Sequence, residues 1–575
     1  VHIRFIVEND LVEDTCSVWR LESHGEFGYS DGAGSEQYLR DVFRNAKDLG
    51  SRSAELEACI KDWPSEYHLS AKRGQLLSGF SFDRSLRVLE VGCGCGAITR
   101  YLGEHFDQVV SVEGNINRAR LARQRTRDLD SVSVICAPFQ DIRFSQKFDI
   151  IFCIGVLEYS ASFIEGTDAY DAALRVLADM LTPDGMVVVA IENQFGLKYF
   201  NGAREDHLGA RFEGLEGYHR NPGVARTFGK TDLERRLRKH FSRVEFYYPY
   251  PDYKIPDCVL SGELLASGRA GELVSQMRSR DYSEPARVLW DEASTALELD
   301  RNGMLEFFSN SFLVLAGRHT LQGAEFNQLG ILYSSGRKPA YATQSRILKG
   351  DAGEIRVEKR RVHDRLAVEP APITLVETDS PWLDGCSVLT LVTLRALSRK
   401  LSMAEIFEPC RQWVDLLHGE SEMRDGVRWL DGAHIDSLWG NAYVSGNECR
   451  LIDREWIWSE NVRMNVVLIR AIYDFLSRIE TARPYPRALS ASSGRSVIGD
   501  IAAALGASPT AEDFAEFIRI ESEISWIVSG MSRSKQGFYI RWFLRHKPTR
   551  RFFRRVNPMV RNLLSRVGAR ISNRV

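Results

Sequence analysis

The chain has 575 residues, a formal net charge of −2, and 44% hydrophobic against 26% charged residues. That length is too great for a single core and implies two or three domains, while the composition is that of an ordinary globular protein rather than a fibrous or disordered one. The near-zero charge hides an asymmetry, because Met531–Val575 holds 13 Lys and Arg and no Asp or Glu.

No apolar run reaches the roughly 18 residues that a membrane-spanning helix needs. The first residues, VHIRFIVENDLVED, lack a basic stretch followed by an apolar one, so no secretory signal is expected. Ten cysteines are scattered without a CxxC pair or zinc spacing, as expected of reduced thiols in a cytoplasmic protein.

Residues 1–50 read as an acidic, glycine-punctuated extension that turns helical near Glu36. Residues 53–77 are expected to form a helix broken at Pro64. Such a segment covers a cofactor cleft when a nucleotide fold follows it, and Tyr67 and His68 are then either near the ligand or packing the lid. The stretch LRVLEVGCGCGAITRYLGEHFDQVVSVEGN (86–115) reads as strand, glycine turn, helix and strand. Gly92, Gly94 and Gly96 let the backbone bend and approach a ligand. The helix after them turns its first amides to the bound group. Glu113 at the tip of the second strand is placed to accept hydrogen bonds from two ribose hydroxyls.

Two nucleoside ligands suit this unit, since Gly92-x-Gly94-x-x-Ala97 also meets the loose dinucleotide pattern. The text that follows decides. Glu90-x-Gly92-x-Gly94-x-Gly96 with Glu113 resembles motifs I and II of class I S-adenosylmethionine (SAM) methyltransferases. CAPFQDI (136–142) resembles their turn beside the adenine, and FDIIFCIGVLEYS (148–160) the strand that ends at the reaction centre. The resemblance implies a Rossmann-like α/β domain binding SAM through Tyr67, Glu90, Gly92, Gly94, Gly96, Glu113, Phe139, Asp141 and Gly155.

The strand–helix alternation continues with a helix over Tyr170–Leu181 ended by TPDG and a strand MVVVAI. A long polar loop at 192–223 is of the kind that holds substrates at the strand ends of α/β sheets. A helix at 231–240, a strand, a helical insertion at 260–300 and the strand FFSNSFLVLAG complete a domain of residues 51–318. Methylating a sugar hydroxyl calls for a nearby base, and Glu158 and His207 are the candidates. A phosphate acceptor needs only cations to seat it, for which Lys198 and Arg204 are available. DWPSEYHLS, IENQFGLKYFNGAREDH and YPDYKIP resemble a bacterial group of methyltransferases of surface-polysaccharide synthesis, some of which carry a kinase-like domain.

Residues 319–530 open with strand-like text and then show His434-x-Asp436-x-x-x-x-Asn441 followed by Ile452-Asp453. This pattern resembles the catalytic loop and metal-binding acid of aminoglycoside-phosphotransferase-like kinases. The resemblance implies an α+β protein-kinase-like domain binding ATP and Mg²⁺, with Asp436 as base, Asn441 and Asp453 as metal ligands and Lys359 as phosphate partner. The phosphate-covering GxGxxG is missing. Too few residues separate Lys359 from the PWLDG hinge for a helix with a lysine-pairing Glu.

The basic amphipathic tail, 531–575, interleaves Arg with aromatic residues. That pattern suits an anionic membrane surface or a membrane-associated glycan synthase, with no nucleic-acid motif beside it. The expected protein is therefore cytoplasmic or peripheral at the inner face of the cell membrane. It methylates a glycan or lipid-linked glycan that its second domain phosphorylates. The alternative is a non-catalytic adaptor of a polysaccharide synthase.

Overall fold

The computed structural model describes residues 6–546 apart from 22–27, 29, 31, 222, 283–287, 320–322, 335, 364–365, 367–371, 399, 447, 480–488 and 490–492. It divides into two compact units, one of residues 1–267, 279–287 and 303–330, the other of 268–278, 288–302 and 331 onward.

The first unit opens with the antiparallel pair β1 (Leu11–Glu13) and β2 (Trp19–Leu21), then helices α1 (Ala33–Asn45) and α2 (Trp63–Leu69). The break expected at Pro64 falls ahead of it. A separate turn ends at Cys59, Asp62 caps α2 by accepting from the Ser65 amide at 3.0 Å, and Pro64 lies in the first turn. A missing N–H costs little there, because first-turn amides have no partner in the helix.

Then come β3 (Arg87–Val91), α3 (Ala97–His105), β4 (Gln108–Glu113), α4 (Ile116–Arg125), β5 (Val132–Cys136), β6 (Phe148–Ile154), α5 (Ala169–Met180) and β7 (Leu181–Glu192). After the long loop follow α6 (Lys230–Leu237), β8 (Arg243–Tyr250), β9 (Cys258–Ser261) and β10 (Ser311–Gly317). Strand order in this unit is β1-β2-β5-β4-β3-β6-β7-β10-β8-β9. β3 to β7 run parallel, and β10 is antiparallel to both β7 and β8. The parallel strands are nearly continuous Val, Ile and Phe because helices bury both faces. The order reverses between β3 and β6, so the crevice for a ligand opens at their C-terminal ends. TPDG, expected as a loop, is the start of β7.

The second unit has strand order β11-β12-β13-β15 over Gly330–Tyr333, Thr343–Lys349, Ile355–Arg361 and Asp379–Pro381; β14 (Ile373–Leu375) lies outside that sheet. Helices α9 (Val388–Ala396) and α10 (Arg411–Glu420) follow, then two short turns at 432–436 and 439–441. The hairpin β16 (Ala442–Ser445) and β17 (Glu448–Leu451) leads to β18 (Trp456–Trp458), which pairs with β14. Helices α11 (Met464–Ile479), α12 (Gly494–Ala504), α13 (Ala511–Ser529) and α14 (Arg533–Arg545) close the unit around Phe407, Trp413, Trp439 and Phe475.

Two assignments from the sequence change. Part of the 260–300 insertion, the helices α7 (Gly271–Ser275) and α8 (Glu292–Arg301), packs with the second unit, so 51–318 is not one uninterrupted body. The start of the basic tail is not a free amphipathic arm either. Ile540, Phe543 and Leu544 of α14 are buried in the second unit's core, and the tail beyond 546 lies outside the described residues.

Gly432 begins the first short turn, where an added Cβ would sit 1.8 Å from the Trp458 carbonyl oxygen. Gly432→Ala should therefore cost about 3 kcal/mol in urea unfolding of the full chain. Gly446→Ala, in open space at φ +59°, should cost about 1 kcal/mol from backbone strain alone.

Candidate functional site

The turn between β3 and α3 is set by three left-handed glycines, Gly92 (φ +71°), Gly94 (φ +55°) and Gly96 (φ +85°). Each is glycine for its own reason. A Cβ at Gly92 would meet Val156 Cγ2 at 2.3 Å, one at Gly94 would meet Arg118 Nη2 at 2.8 Å, and one at Gly96 would meet the Ala122 Cα at 2.7 Å. Gly96 thus serves the close packing of α3 on α4 rather than a ligand.

Glu113 ties this turn down. Its carboxylate accepts from the Gly94 amide at 2.8 Å and from the Asn115 amide at 3.0 Å. Each oxygen keeps a second lone pair, so ribose hydroxyls can add to bonds already made. Glu90 is buried with Ser111 Oγ donating to it at 2.7 Å, and burial pushes its carboxyl up to about 7.

Arg73, which the sequence reading did not single out, is buried beside Glu90 and Tyr67. Its guanidinium lies 4.2 Å from the Tyr67 ring centre and donates to the Lys254 carbonyl at 2.6 Å, while its Nε has no partner. The signal for it was a basic pair inside KRGQLL, just ahead of the first strand. Phe139 is buried edge-on to Phe163. Asp141 is exposed at the end of the same turn, Gln140 is half-buried, and Phe139 is the buried side chain of the three.

A cluster forms around the ends of β6 and β7. Gly155 (φ +71°) follows β6, and its missing Cβ leaves room for the Tyr253 hydroxyl. Glu158 is fully buried, and neither of its carboxylate oxygens has a hydrogen-bond partner. Burial and the charge of Glu192 push its carboxyl up to about 8. His207 Nε2 lies 3.3 Å from Glu192 Oε2, and its Nδ1 lies 2.9 Å from the Tyr159 hydroxyl. Burial pulls this imidazole down, but Glu192 outweighs it and lifts the group to about 9. Lys254 bonds Glu192 Oε1 at 2.6 Å and lies 3.3 Å from Asp206.

Lys198, expected as a free cation for an acceptor phosphate, is instead buried and donates to Asp206 at 2.6 Å. A lysine taken out of water needs that carboxylate, which removes it from ligand duty. Arg204 is half-buried in the long loop.

In the second unit, β13 carries Lys359, which pairs with Asp453 and lies 3.1 Å from Glu455 Oε2. Arg337 clamps the same Glu455 at 2.5 and 3.2 Å. Burial works against the Glu455 carboxylate, yet Arg337 and Lys359 hold it down to about 2. Asp453 has φ +52°, and burial lifts its carboxyl to about 7 in spite of Lys359. Asn441 donates to the Asp436 carbonyl at 2.9 Å, and Asp436 is buried. Lys359, Asp453, Val357, Trp382, Tyr443 and Ile452 line a cavity of about 330 Å³, with Glu272 and Leu273 of α7 also at its wall.

A methyltransferase domain model matches residues 89–189. Cyclopropane-fatty-acyl-phospholipid synthase of Escherichia coli is 27% identical over 21% of this chain and 29% of its own. A dTDP-3-amino-3,6-dideoxy-α-D-glucopyranose N,N-dimethyltransferase of Streptomyces fradiae is 27% identical over 22% of this chain and 46% of its own. Among solved structures, the N-methyltransferase NodS of Bradyrhizobium japonicum with S-adenosyl-L-homocysteine is 22% identical, covers 28% of this chain and 74% of that one, and has a TM-score of 0.20. The chain spans less than half the length of the two curated relatives.

Removing Arg337 would leave Glu455 buried with one cation fewer, and Arg337→Ala should cost about 3 kcal/mol in urea unfolding. Replacing the pair together, as Arg337→Met with Glu455→Leu, should cost less than the single change. The left-handed glycine turn, the acid at the neighbouring strand tip and the matched region coincide: residues 89–189 are a methyltransferase domain, and its cofactor is S-adenosyl-L-methionine.

Proposed function

We propose that this chain is a SAM-dependent methyltransferase that acts on a surface glycan or its lipid-linked precursor, at a sugar hydroxyl or a terminal phosphate. The observation that carries the reading is the turn of Gly92 and Gly94 held by Glu113 at the crevice between β3 and β6. The buried, unpartnered Arg73 Nε beside Glu90 fits the amino-acid end of SAM, because it offers a donor to a carboxylate.

SAM when bound supplies a methyl group on a sulfonium. The chain's part is to fix the acceptor oxygen in line and keep water out. Glu113 and the turn amides hold the ribose end. Glu158 and His207 are the groups proposed to take the proton that an acceptor hydroxyl must lose, and because they are lifted to about 8 and 9 that role belongs to alkaline pH. A phosphate acceptor would turn to Arg204, since Lys198 is engaged. The glycan as substrate is supported by the polysaccharide-group phrases at 62–70, 191–207 and 250–256 and by the Streptomyces relative, whose named substrate is a nucleotide sugar.

The second unit is proposed to be kinase-like, binding ATP with Mg²⁺ in the cavity beside Lys359 and phosphorylating the same glycan. Asp436 would act as base, and Asn441 and Asp453 would hold the metal. The basic tail is proposed to meet an anionic membrane or a membrane-associated synthase at its inner face. The competing reading is an adaptor that binds such a synthase without turnover; the absence of a glycine-rich phosphate loop favours it for the second unit alone.

Calorimetry should find SAM binding in the full chain and none in Gly92→Val, whose side chain would overlap Val156. A parent protein with no SAM affinity would leave only the adaptor. With labelled SAM and glycans from its own cell, methyl incorporation that depends on ATP would place phosphorylation before methylation. Incorporation indifferent to ATP would separate the two activities.

A further inference from the structure

We propose that Glu158, Glu192 and His207 form a site for a divalent first-row or magnesium-type cation at the C-terminal edge of the first unit's sheet. A carboxylate oxygen of each Glu and an imidazole nitrogen all lie within 4.8 Å of one another. Glu158 stands in the turn after β6, Glu192 ends β7, and His207 lies in the long loop, so separate elements converge on one point.

Proximity of acids alone would prove nothing. The decisive feature is that Glu158 is fully buried with both carboxylate oxygens lacking a hydrogen-bond partner. A buried polar group without a partner is costly, and a second carboxylate beside it adds to the cost. Neither lysine nearby is hydrogen-bonded to Glu158. Lys254 bonds Oε1 of Glu192, leaving Oε2 turned to His207, and Lys198 bonds Asp206. A dication there answers the partnerless Glu158 carboxylate, and on binding it displaces the proton that Glu192 holds on His207.

The outer contacts suit ligation. With Nε2 facing the cluster, Nδ1 lies 2.9 Å from the Tyr159 hydroxyl, a bond that orients the ring as outer partners of metal-bound histidines do. Two carboxylates and one imidazole cover one side of a six-coordinate ion and leave positions for water or substrate oxygens. On the methyl-transfer reading, which this use rests on, those positions would seat vicinal hydroxyls of a sugar and orient one of them. Cation binding itself does not depend on that reading.

Mn²⁺ is the probe, titrated into the full chain and followed by electron paramagnetic resonance. The Asp453→Asn background keeps the second unit's acid out of the count. One Mn²⁺ per chain is expected, with affinity at least tenfold weaker in Glu158→Gln and in His207→Asn, each checked for an unchanged melting temperature. Absence of stoichiometric Mn²⁺, or unchanged affinity in a folded variant of either kind, overturns the site. SAM calorimetry on the same samples separates the two claims: Mn²⁺ binding without SAM binding upholds the site and defeats the methyltransferase reading.

Discussion

The bond between Glu113 and the Gly94 amide is the constraint on which the first unit depends. It fastens the tip of β4 to the turn leaving β3, and so fixes the mouth of the crevice where strand order reverses. Backbone bonds hold part of the turn, with the Gly92 and Cys93 amides donating to the Val112 carbonyl at 2.8 and 3.0 Å and the Gly96 amide to the Cys93 carbonyl at 3.0 Å. The buried Glu113 carboxylate supplies the acceptor for the Gly94 amide.

From that turn outward, the site is built in layers of decreasing rigidity. Gly92 admits Val156, Gly155 admits Tyr253, and each close approach brings the segment after β6 nearer the turn. Glu158 rides on that segment and is driven under the surface with it. Lys254 and His207 gather at Glu192 because one buried acid attracts both; Asp206 shares the Lys254 ammonium, and Tyr159 meets the other ring nitrogen of His207.

The first unit's fold was legible because its signals are local. Strand, glycine turn, helix and acid follow one another within thirty residues, and periodicity with glycine spacing suffices to read them. Lys198 was misjudged for a different reason: its partner Asp206 stands only eight residues on, but nothing in the sequence shows that the loop folds back to bury the pair. Arg73 was missed on the same ground. The packing of α7 and α8 with the second unit was beyond reach, since amphipathic helices do not announce which core they join.

The second unit gathers its buried charges on one acid. Lys359 and Arg337 both close on Glu455, and a carboxylate taken out of water needs such partners. Asp453, two residues earlier, pairs with the same Lys359. Glu455 precedes β18, whose pairing with β14 ties that segment into the unit, so the ion pairs and the strand pairing support one another at the wall of the cavity.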